Sequence, residues 1–429
     1  MSKYEDAIWS MSLAEINHHR NNYFIPGYTM SSAIANWPGN GDVTNGVASI
    51  LAPFKDLNEN DLYEPMLGEY PVIRGEKAVL CIYNDEGAPG VHGMSLESEV
   101  MGVEVHAMFY QYSGNDYKDS TTYMSFKVFN RGIHDYDSLF FGLNIDIDLG
   151  YYNDDYAGCD SAQSLVYFYN GDNFDDNNVE KGHGWNPPSV GVKCLNHELY
   201  SSVNFMSSYQ IGHPYQESIL ALHYFNQLNG FWSDGSQKVY GGLGFESEYH
   251  ETTYPTKLMY TGHPLDSNAW SMRADLQPFS DHRVLFNGPP VSMSSGDFQC
   301  FDYAVLYNRA SGNHLENVAG LIDMCDQVQQ DYEFDLTNDC ILKLGLTEND
   351  DAPTEVMIYP NPAMDYMVVK GLNKDFEKME IFTQFGLKVH EEKLTDKNIQ
   401  QVSLQLSPGL YLVHLTGSKG QVTKKVWVH

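Results

Sequence analysis

The sequence predicts a mainly β protein: a large β-sandwich-like domain with a few helices, followed by a small seven-stranded Ig-like β-sandwich tail. Two observations support this prediction. Runs of β-branched and aromatic residues alternate with Gly-, Asn- and Asp-rich turns, and the charge of the chain changes near Thr354. With 42% hydrophobic and 13% aromatic residues, the chain is not disordered as a whole.

The charge change predicts the domain boundary. The chain of 429 residues carries 25 basic and 57 acidic residues. Nine Lys and eight acidic residues lie from Thr354 onward, which leaves 16 basic and 49 acidic residues before it. We therefore expect an acidic β-rich domain at residues 1–345, a polar linker at 346–354 and a second domain at 355–429.

The same composition argues against nucleic-acid binding and against a membrane-spanning helix. The strong negative charge repels phosphate backbones, so nucleic acid is not an expected partner. No stretch approaches the roughly 18 to 20 apolar residues that a membrane-spanning helix needs, so we expect no transmembrane segment.

Within the large domain, alternating runs predict strands at residues 77–83, 99–110, 121–129, 138–148 and 302–307. A helix is predicted at about residues 313–332, because apolar side chains recur there at helical spacing. They are Leu315, Val318, Ile322, Cys325 and Val328. A weaker pattern predicts a helix at residues 5–18.

An acidic segment is the best candidate for a metal site. Asn144, Asp146 and Asp148 alternate with apolar residues, so a strand would place them on one face. The following loop adds Asn153, Asp154, Asp155 and Asp160. Ca²⁺ takes about six to eight oxygen ligands, so these residues predict a structural calcium site, with Ca²⁺ as the only expected cofactor. The spacing is not that of an EF-hand. The alternative, which we weigh equally, is that these side chains cap turns.

Aromatic residues suggest a glycan as a candidate ligand. Trp185, Trp232 and Trp270 lie in Gly- and Asp-rich surroundings, where indole rings can stack on sugars. A glycosidase would add two carboxylates about 5 to 10 Å apart, but no pair is distinguished by its spacing. HExxH, GxSxG and phosphate-loop motifs are absent from the sequence. We interpret Asp281-His282-Arg283 as a local turn or ion pair.

The terminal 75 or so residues read as short strands separated by Gly and Pro turns. Tyr359-Pro360-Asn361-Pro362, Gly386, Gly409 with Tyr411, and Lys424-Lys425 follow one another in an order that resembles the C-terminal sorting domain of type IX secretion cargo. The resemblance implies recognition by the type IX outer-membrane translocon and its sortase. It also implies an extracellular or outer-surface location, reached through the periplasm.

That export route implies a signal peptide, and residues 1–6 show no basic region followed by an apolar core. We therefore expect the N-terminus of this sequence to be incomplete. Six Cys, an even number, agree with passage through an oxidising periplasm. They allow 15 pairings, and buried free thiols are an equal alternative.

Residues 60–335 also resemble, more loosely, a group of secreted proteins that carry the same tail. Shared features include residues 153–160 and 281–283. This resemblance implies one continuous domain and no particular reaction. The sequence thus predicts an exported protein whose large domain is a noncatalytic binding, adhesive or structural module. The alternative is a secreted carbohydrate-active hydrolase that uses a carboxylate pair.

Overall fold

Antiparallel β-sheet dominates the computed structural model, so the predicted fold class is confirmed. The structure describes residues 8–45, 47–85, 99–114, 116–177, 179–206, 215–245, 254–310 and 312–334 of the first part. In the last part it describes 357–359, 363, 366–370, 376–383, 388–394, 399–404, 406, 409–417 and 420–428. The chain divides into two compact units, Met1–Cys340 and Ile341–His429. The predicted linker lies outside the described residues.

The first unit contains seventeen described strands and four helices. The strands are β1 Ile8–Ser12, β2 Phe54–Lys55, β3 Tyr70–Pro71, β4 Lys77–Asn84, β5 Val103–Gln111, β6 Thr121–Asn130, β7 Tyr136–Leu139, β8 Gly142–Asp146, β9 Asp155–Asp160, β10 Leu165–Asn170, β11 Phe174–Asp176, β12 Lys181–Trp185, β13 Ser189–Cys194, β14 Ser201–Met206, β15 His282–Asn287, β16 Val291–Met293 and β17 Phe298–Asn308. The helices are α1 Leu13–Asn22, α2 Ser32–Ala35, α3 Ala221–Leu228 and α4 His314–Phe334.

Two sheets pack face to face in this unit. An eight-stranded antiparallel sheet has the order β1-β4-β5-β6-β17-β13-β10-β9, and a three-stranded sheet has the order β14-β15-β8. Aromatic side chains join the layers: Phe286 of β15 lies 6.0 Å from Tyr303 of β17, and Phe141 stacks on Phe301 at 4.6 Å. The core is therefore the aromatic layer between the sheets, as in a β-sandwich.

Helix α4 covers the opposite face of the large sheet. Its buried residues include Leu321, Cys325 and Val328, and a Cβ built on Gly191 of β13 would meet Leu321 at 2.8 Å. The predicted helix is confirmed, with Leu321 buried and the predicted Ile322 only half-buried. The buried stripe of the helix thus contains Leu321 in place of the predicted Ile322, because Leu321 is the side chain that packs against Gly191 of the sheet.

Four of the predicted strands, 77–83, 99–110, 121–129 and 302–307, match β4, β5, β6 and β17 within a few residues. The fifth is divided, because residues 138–148 belong partly to β7 and partly to β8, which pair with different partners. The predicted helix at residues 5–18 is wrong at its start. Residues Ile8–Ser12 form a strand paired with β4, and α1 begins after Ser12.

Sequence chemistry explains why α1 begins there. The Ser12 hydroxyl accepts a hydrogen bond from the Glu15 backbone N–H at 3.2 Å, and Glu15 Oε2 accepts one from the Ser12 N–H at 3.2 Å. This reciprocal pair is a capping box, which fixes the helix start. The residues before the cap form a strand because their pairing with β4 outweighs a weak helical propensity.

Most of the described thiols are free. Cys81, Cys159, Cys194 and Cys325 are unpaired with one another, and the last three are buried. Cys300 is disulfide-bonded, and its partner is not among the described residues. Cys340, the sixth cysteine, also lies outside the described residues.

The second unit is itself a small sandwich. Its strands are β18 Met357–Tyr359, β19 Tyr366–Lys370, β20 Phe376–Thr383, β21 Lys388–Lys393, β22 Ile399–Ser403, β23 Gly409–Gly417 and β24 Gly420–Val428. They form two antiparallel sheets, β18-β19-β22 and β21-β20-β23-β24. Met367, Val369, Ile381, Val413 and Leu415 belong to its buried core. The described residues of the tail thus contain the seven strands that the sequence predicts.

The predicted sorting residues fall in several environments. Gly409 begins β23 opposite Val428, Tyr411 is a core residue, and Lys424 is exposed on β24. The backbones of Tyr359 and Lys425 lie in strands, and their side chains are outside the described set. Pro360, Asn361, Pro362 and Gly386 also lie outside it.

The tail core generates a stability prediction. Ile381→Ala removes buried methyl groups from β20, so we expect the tail to lose about 2 to 5 kcal/mol of stability. Hydrogen exchange of β20 and β23 amides in the complete protein measures this loss as faster exchange. Val389→Ala, on an exposed strand position of the same sheet, is the matched control and should change stability by less than about 0.5 kcal/mol. Equal acceleration in both variants would contradict the assigned core.

Candidate functional site

Strand β8 presents the predicted acidic face. Asn144, Asp146 and Asp148 are exposed, whereas the intervening Ile145 and Ile147 are half-buried. Antiparallel pairing places Arg283 of β15 directly opposite Asp146. The alternation seen in the sequence therefore brings these polar side chains to the side of the strand that faces solvent.

Pairing with β15 adds a third carboxylate to this face. Asp146, Asp148 and Asp281 each offer one oxygen, and these atoms all lie within 4.8 Å of one another. We call these three residues the outer carboxylate group. Asp281 is absent from the set of ligands that the sequence predicts, because it approaches Asp146 only through the pairing of two strands distant in sequence.

Arg283 binds this group. Its Nη2 lies 3.1 Å from Asp146 Oδ2 and 3.3 Å from Asp281 Oδ2, and its Nη1 lies 2.9 Å from Glu217 Oε2. The ion pair expected within Asp281-His282-Arg283 is thus present. Burial and the neighbouring carboxylates still raise the pKa of Asp146, although Arg283 acts in the opposite direction. Four carboxylates, those of Asp146, Asp148, Asp281 and Glu217, thus lie around one guanidinium.

A second set of carboxylates lies around the loop that follows: Asp154 in that loop is half-buried, and Asp155 at the start of β9 and Asp175 on β11 are buried. Asp155 is 1% exposed, and its Oδ2 accepts a hydrogen bond from the Leu149 N–H at 3.1 Å. Asp175 of β11 is fully buried and accepts hydrogen bonds from the N–H groups of Tyr151 at 2.8 Å and His183 at 2.7 Å. We call Asp154, Asp155 and Asp175 the inner carboxylate group.

Two glycines make room for Asp175. A Cβ on Gly150, whose φ is +77°, or on Gly182 would lie 1.9 Å from an oxygen of the Asp175 carboxylate. Such a distance is far inside van der Waals contact, so each position requires glycine unless Asp175 moves. Asp175 thereby joins the loop after β8 to the β11–β12 hairpin.

Burial changes the protonation of the inner group. Burial raises the pKa of Asp155 to about 9, and the negative charges of Asp154 and Asp175 add to this rise. Burial, followed by the charge of Asp175, raises the pKa of Asp154 to about 7. Burial therefore favours the uncharged form of both carboxyl groups, more strongly for Asp155 than for Asp154.

Two further residues of the predicted calcium set, Asn153 and Asp160, belong to neither group. Asn153 is exposed in a single 3-10 turn at Tyr152–Asp154. Asp160 Oδ1 accepts hydrogen bonds from the N–H groups of Ala162 at 2.9 Å and Gln163 at 3.0 Å. Asp160 thus does what the alternative interpretation expects, capping the turn between β9 and β10.

Two of the three predicted aromatic ligand residues are core residues instead. Trp232 is 0% exposed and stacks on Phe245 at 4.5 Å, and Trp270 is 3% exposed beside Tyr240 at 4.7 Å. Rings enclosed in this way cannot stack on a sugar. This corrects the expectation for both residues, whose indole N–H groups donate to backbone carbonyls of Gly244 and Gly242.

Trp185 has the opposite environment. Its side chain is 70% exposed at the end of β12, and its ring lies 4.9 Å from that of Phe174 on β11. Arg309 donates hydrogen bonds to the carbonyls of His183 at 2.9 Å and Trp185 at 3.1 Å. The two rings form an exposed aromatic pair on a hairpin that hydrogen bonds hold at its base.

The inner carboxylate group generates a pH prediction. Well below pH 3.8, its ordinary pKa, the Asp155 carboxyl is protonated in both folded and unfolded chains. Above that pH the unfolded chain loses the proton first, so the contribution of Asp155 to stability declines until the pH reaches about 9. Asp155→Asn keeps the acceptor for Leu149 and removes this decline. We therefore expect its midpoint of thermal unfolding to rise relative to the natural protein between pH 5 and pH 9.

The measurement is thermal unfolding at pH 5, 7 and 9 with chelator present. Asp137→Asn, at an exposed position of β7, is the matched control and should show a constant difference. A constant difference for Asp155→Asn as well would rule out a neutral carboxylic acid at this position.

Comparisons with known proteins bear mainly on the second unit. Among curated proteins no sequence matches the chain. A solved polysaccharide lyase structure aligns with 76% of this chain at 7% identity and a TM-score of 0.21. The chain spans 34% of the length of that lyase. A likeness of this size says nothing about what the chain does.

The family comparison is specific. Residues 357–429 match the model of the secretion system C-terminal sorting domain. The match covers the strands of the second unit, and the described helices include none that is long and apolar enough to cross a membrane. The chain therefore carries, at residues 357–429, the C-terminal sorting domain of type IX secretion cargo.

Proposed function

We propose that this exported protein presents a noncatalytic glycan-binding module on the cell surface or outside the cell, with Trp185 and Phe174 as its stacking platform. The exposed aromatic pair is the observation that carries the proposal. The sorting domain supports export through the type IX translocon. Attachment or release by the sortase would follow at the tail.

The exposure of Trp185 supports a binding role. Leaving most of an indole ring in water forgoes the roughly 25 cal/mol per Å² that burial of apolar surface supplies. Hydrogen bonds from Arg309 to the Trp185 carbonyl and from the His183 N–H to Asp175 hold the backbone of the hairpin in place, so little loop entropy would be lost on binding. A rigid, exposed aromatic surface is suited to stacking on the apolar face of a sugar ring.

The carboxylates support binding better than hydrolysis. Retaining glycosidases separate their two carboxyl groups by about 5 to 5.5 Å, and inverting enzymes by more. The outer carboxylate group instead brings one oxygen from each of three carboxylates within 4.8 Å of one another, and Arg283 is ion-paired to two of them, so no two are set apart as an acid and a nucleophile. Three converging carboxylates with excess negative charge are suited to a hard cation.

We further propose that the outer carboxylate group, with Asn144 on the same strand face, binds Ca²⁺ and stabilises the large unit. The predicted calcium set is thereby narrowed to Asn144, Asp146 and Asp148 with Asp281 added. Asp154 and Asp155 keep a structural role in this proposal, because burial raises the pKa of both and so favours their uncharged forms.

The glycan proposal predicts the effect of removing the indole ring. Trp185→Ala should weaken binding of the complete protein to its glycan at least tenfold, because a rigid aromatic anchor typically contributes about 2 kcal/mol or more. A glycan array identifies the sugar, and calorimetry measures the affinity. Phe24→Ala is the matched control, since Phe24 is 68% exposed in another aromatic pair. A blank array for the complete protein would count against the proposal.

The calcium proposal predicts a rise in the midpoint of thermal unfolding. Binding to the folded state stabilises it by mass action, by about 2.7 kcal/mol when the free ion is at 100 times its dissociation constant. The rise should disappear in Asp146→Asn combined with Asp148→Asn, and persist in Asp137→Asn. A midpoint that is the same in Ca²⁺ and in chelator would reject the site.

A further inference from the structure

Arg309 lies at the base of the hairpin that carries the exposed aromatic pair, and it has no carboxylate partner among the residues that the structure describes. Its side chain is exposed, and its hydrogen bonds go to backbone carbonyl oxygens. A carbonyl oxygen accepts a hydrogen bond without carrying a formal charge, so no ion pair compensates the positive charge of this guanidinium. Arg309 is therefore available to an anionic group from outside the chain.

Other arginines of the large unit are paired inside the protein. Two of them line a cavity of about 530 Å³ between β4, β5 and β6, where Arg131 Nη2 lies 2.9 Å from Glu104 Oε1 and Arg74 Nη1 lies 3.5 Å from Asp302 Oδ2. Arg283 binds two members of the outer carboxylate group. The charges of these three arginines are already compensated within the chain, which distinguishes them from Arg309.

Three hydrogen bonds fix the orientation of the Arg309 guanidinium. Nε donates to the Asn186 carbonyl at 3.0 Å, and Nη2 donates to those of His183 at 2.9 Å and Trp185 at 3.1 Å. A guanidinium carries five N–H groups, and these contacts use the one on Nε and the two on Nη2. Within the described part of the chain, Nη1 and its two N–H groups have no partner. The guanidinium is thus held through Nε and Nη2 and open at Nη1.

This guanidinium lies beside the residue that carries the exposed indole ring. Its Nη2 contacts the carbonyl of Trp185, whose side chain is 70% exposed, and Trp185 is opposite Phe174 in the pairing of β11 with β12. The positive charge and the aromatic surface therefore belong to one hairpin with a fixed backbone. A sugar stacked on the indole ring would have a fixed positive charge close to it.

The overall negative charge of the chain does not prevent such recognition. At physiological ionic strength the field of distant charges is screened over about 8 Å, whereas a guanidinium binds a carboxylate in direct contact, at about 2.7 to 2.9 Å. The net charge of -32 therefore disfavours a dense polyanion such as nucleic acid more than a single carboxylate at Arg309. A glycan that carries its charge on individual sugar carboxylates meets this condition.

We propose that the exposed aromatic pair binds an acidic sugar, with the sugar ring stacked on Trp185 and its carboxylate on Nη1 of Arg309. The inference rests on the glycan-binding function proposed above and adds the chemical class of the sugar, a uronic acid. Hydrogen bonds that involve charged groups are roughly twice as strong as those between neutral groups. Because three carbonyls already orient Arg309, little side-chain entropy would be lost when the carboxylate binds. A neutral sugar would stack on the same ring with lower affinity.

A glycan array of matched pairs tests the proposal on the complete protein. Each pair consists of an oligosaccharide that contains a uronic acid and its methyl ester, which keeps the sugar ring and removes the charge. Neutral and sulfated oligosaccharides are included on the array. We expect the acid of a recognised pair to bind at least about tenfold more tightly than its ester in calorimetry, and more tightly than the neutral and sulfated glycans.

Arg309→Gln separates recognition of the charge from support of the hairpin. The glutamine amide still donates hydrogen bonds, but the positive charge is lost. We expect the preference for acid over ester to fall below about twofold, while the affinity for the ester stays the same. Loss of hairpin support alone would weaken acid and ester equally and preserve the preference. Lys181→Gln is the matched control, since it removes one positive charge from a 75% exposed side chain of the same hairpin, and it should leave the preference unchanged.

The failure of this proposal differs from the failure of the glycan-binding function. Equal affinity for acid and ester, tighter binding of neutral or sulfated glycans, or a preference for acid that persists in Arg309→Gln would each overturn the acidic-sugar proposal and leave glycan binding intact. A blank array overturns the glycan-binding function and the acidic sugar with it. If Arg309→Gln binds neither member of the pair, the comparison of acid with ester on the natural protein decides the question.

Discussion

The buried carboxylate of Asp175 is the interaction on which both candidate surfaces of the large unit depend. It accepts hydrogen bonds from Tyr151, just after the acidic strand β8, and from His183, in the hairpin that carries Trp185. Gly150 and Gly182 leave the space that it occupies. A buried acceptor with two backbone donors is costly to lose, since each N–H would then lie unsatisfied. Asp175 therefore joins the chain just after the acidic face to the hairpin that carries the aromatic pair.

The fold was largely predictable because it follows from local patterns. Residues 77–83 and 121–129 alternate with period two, and the helix near residue 314 shows period 3.6, so each signal lies within a short window. The start of the chain was not predictable in this way. Ile8–Ser12 becomes a strand only because β4 is available to pair with it, and that partner lies some 65 residues away (77 − 12).

The candidate sites were less predictable for the same physical reason. The alternation at Asn144, Asp146 and Asp148 indicates one shared face, but Asp281 and Arg283 join that face through the register of β15. Trp232 and Trp185 occur in similar Gly- and Asp-rich surroundings, and only packing separates the core ring from the exposed one. The cavity between β4, β5 and β6 leaves no motif in the sequence, because its lining residues come from three strands and several loops.

The free thiols have a consequence for the order of events during export. Burial raises the pKa of Cys159 and Cys325 to about 12, and that of Cys194 rises from the same cause. Thiolate is the reactive form, so these groups are inert once the sheet has closed over them. In the unfolded chain they would react at ordinary rates with any oxidant or disulfide they met. A chain that is exported with such cysteines keeps them as thiols only if the sheet closes over them before they meet an oxidant.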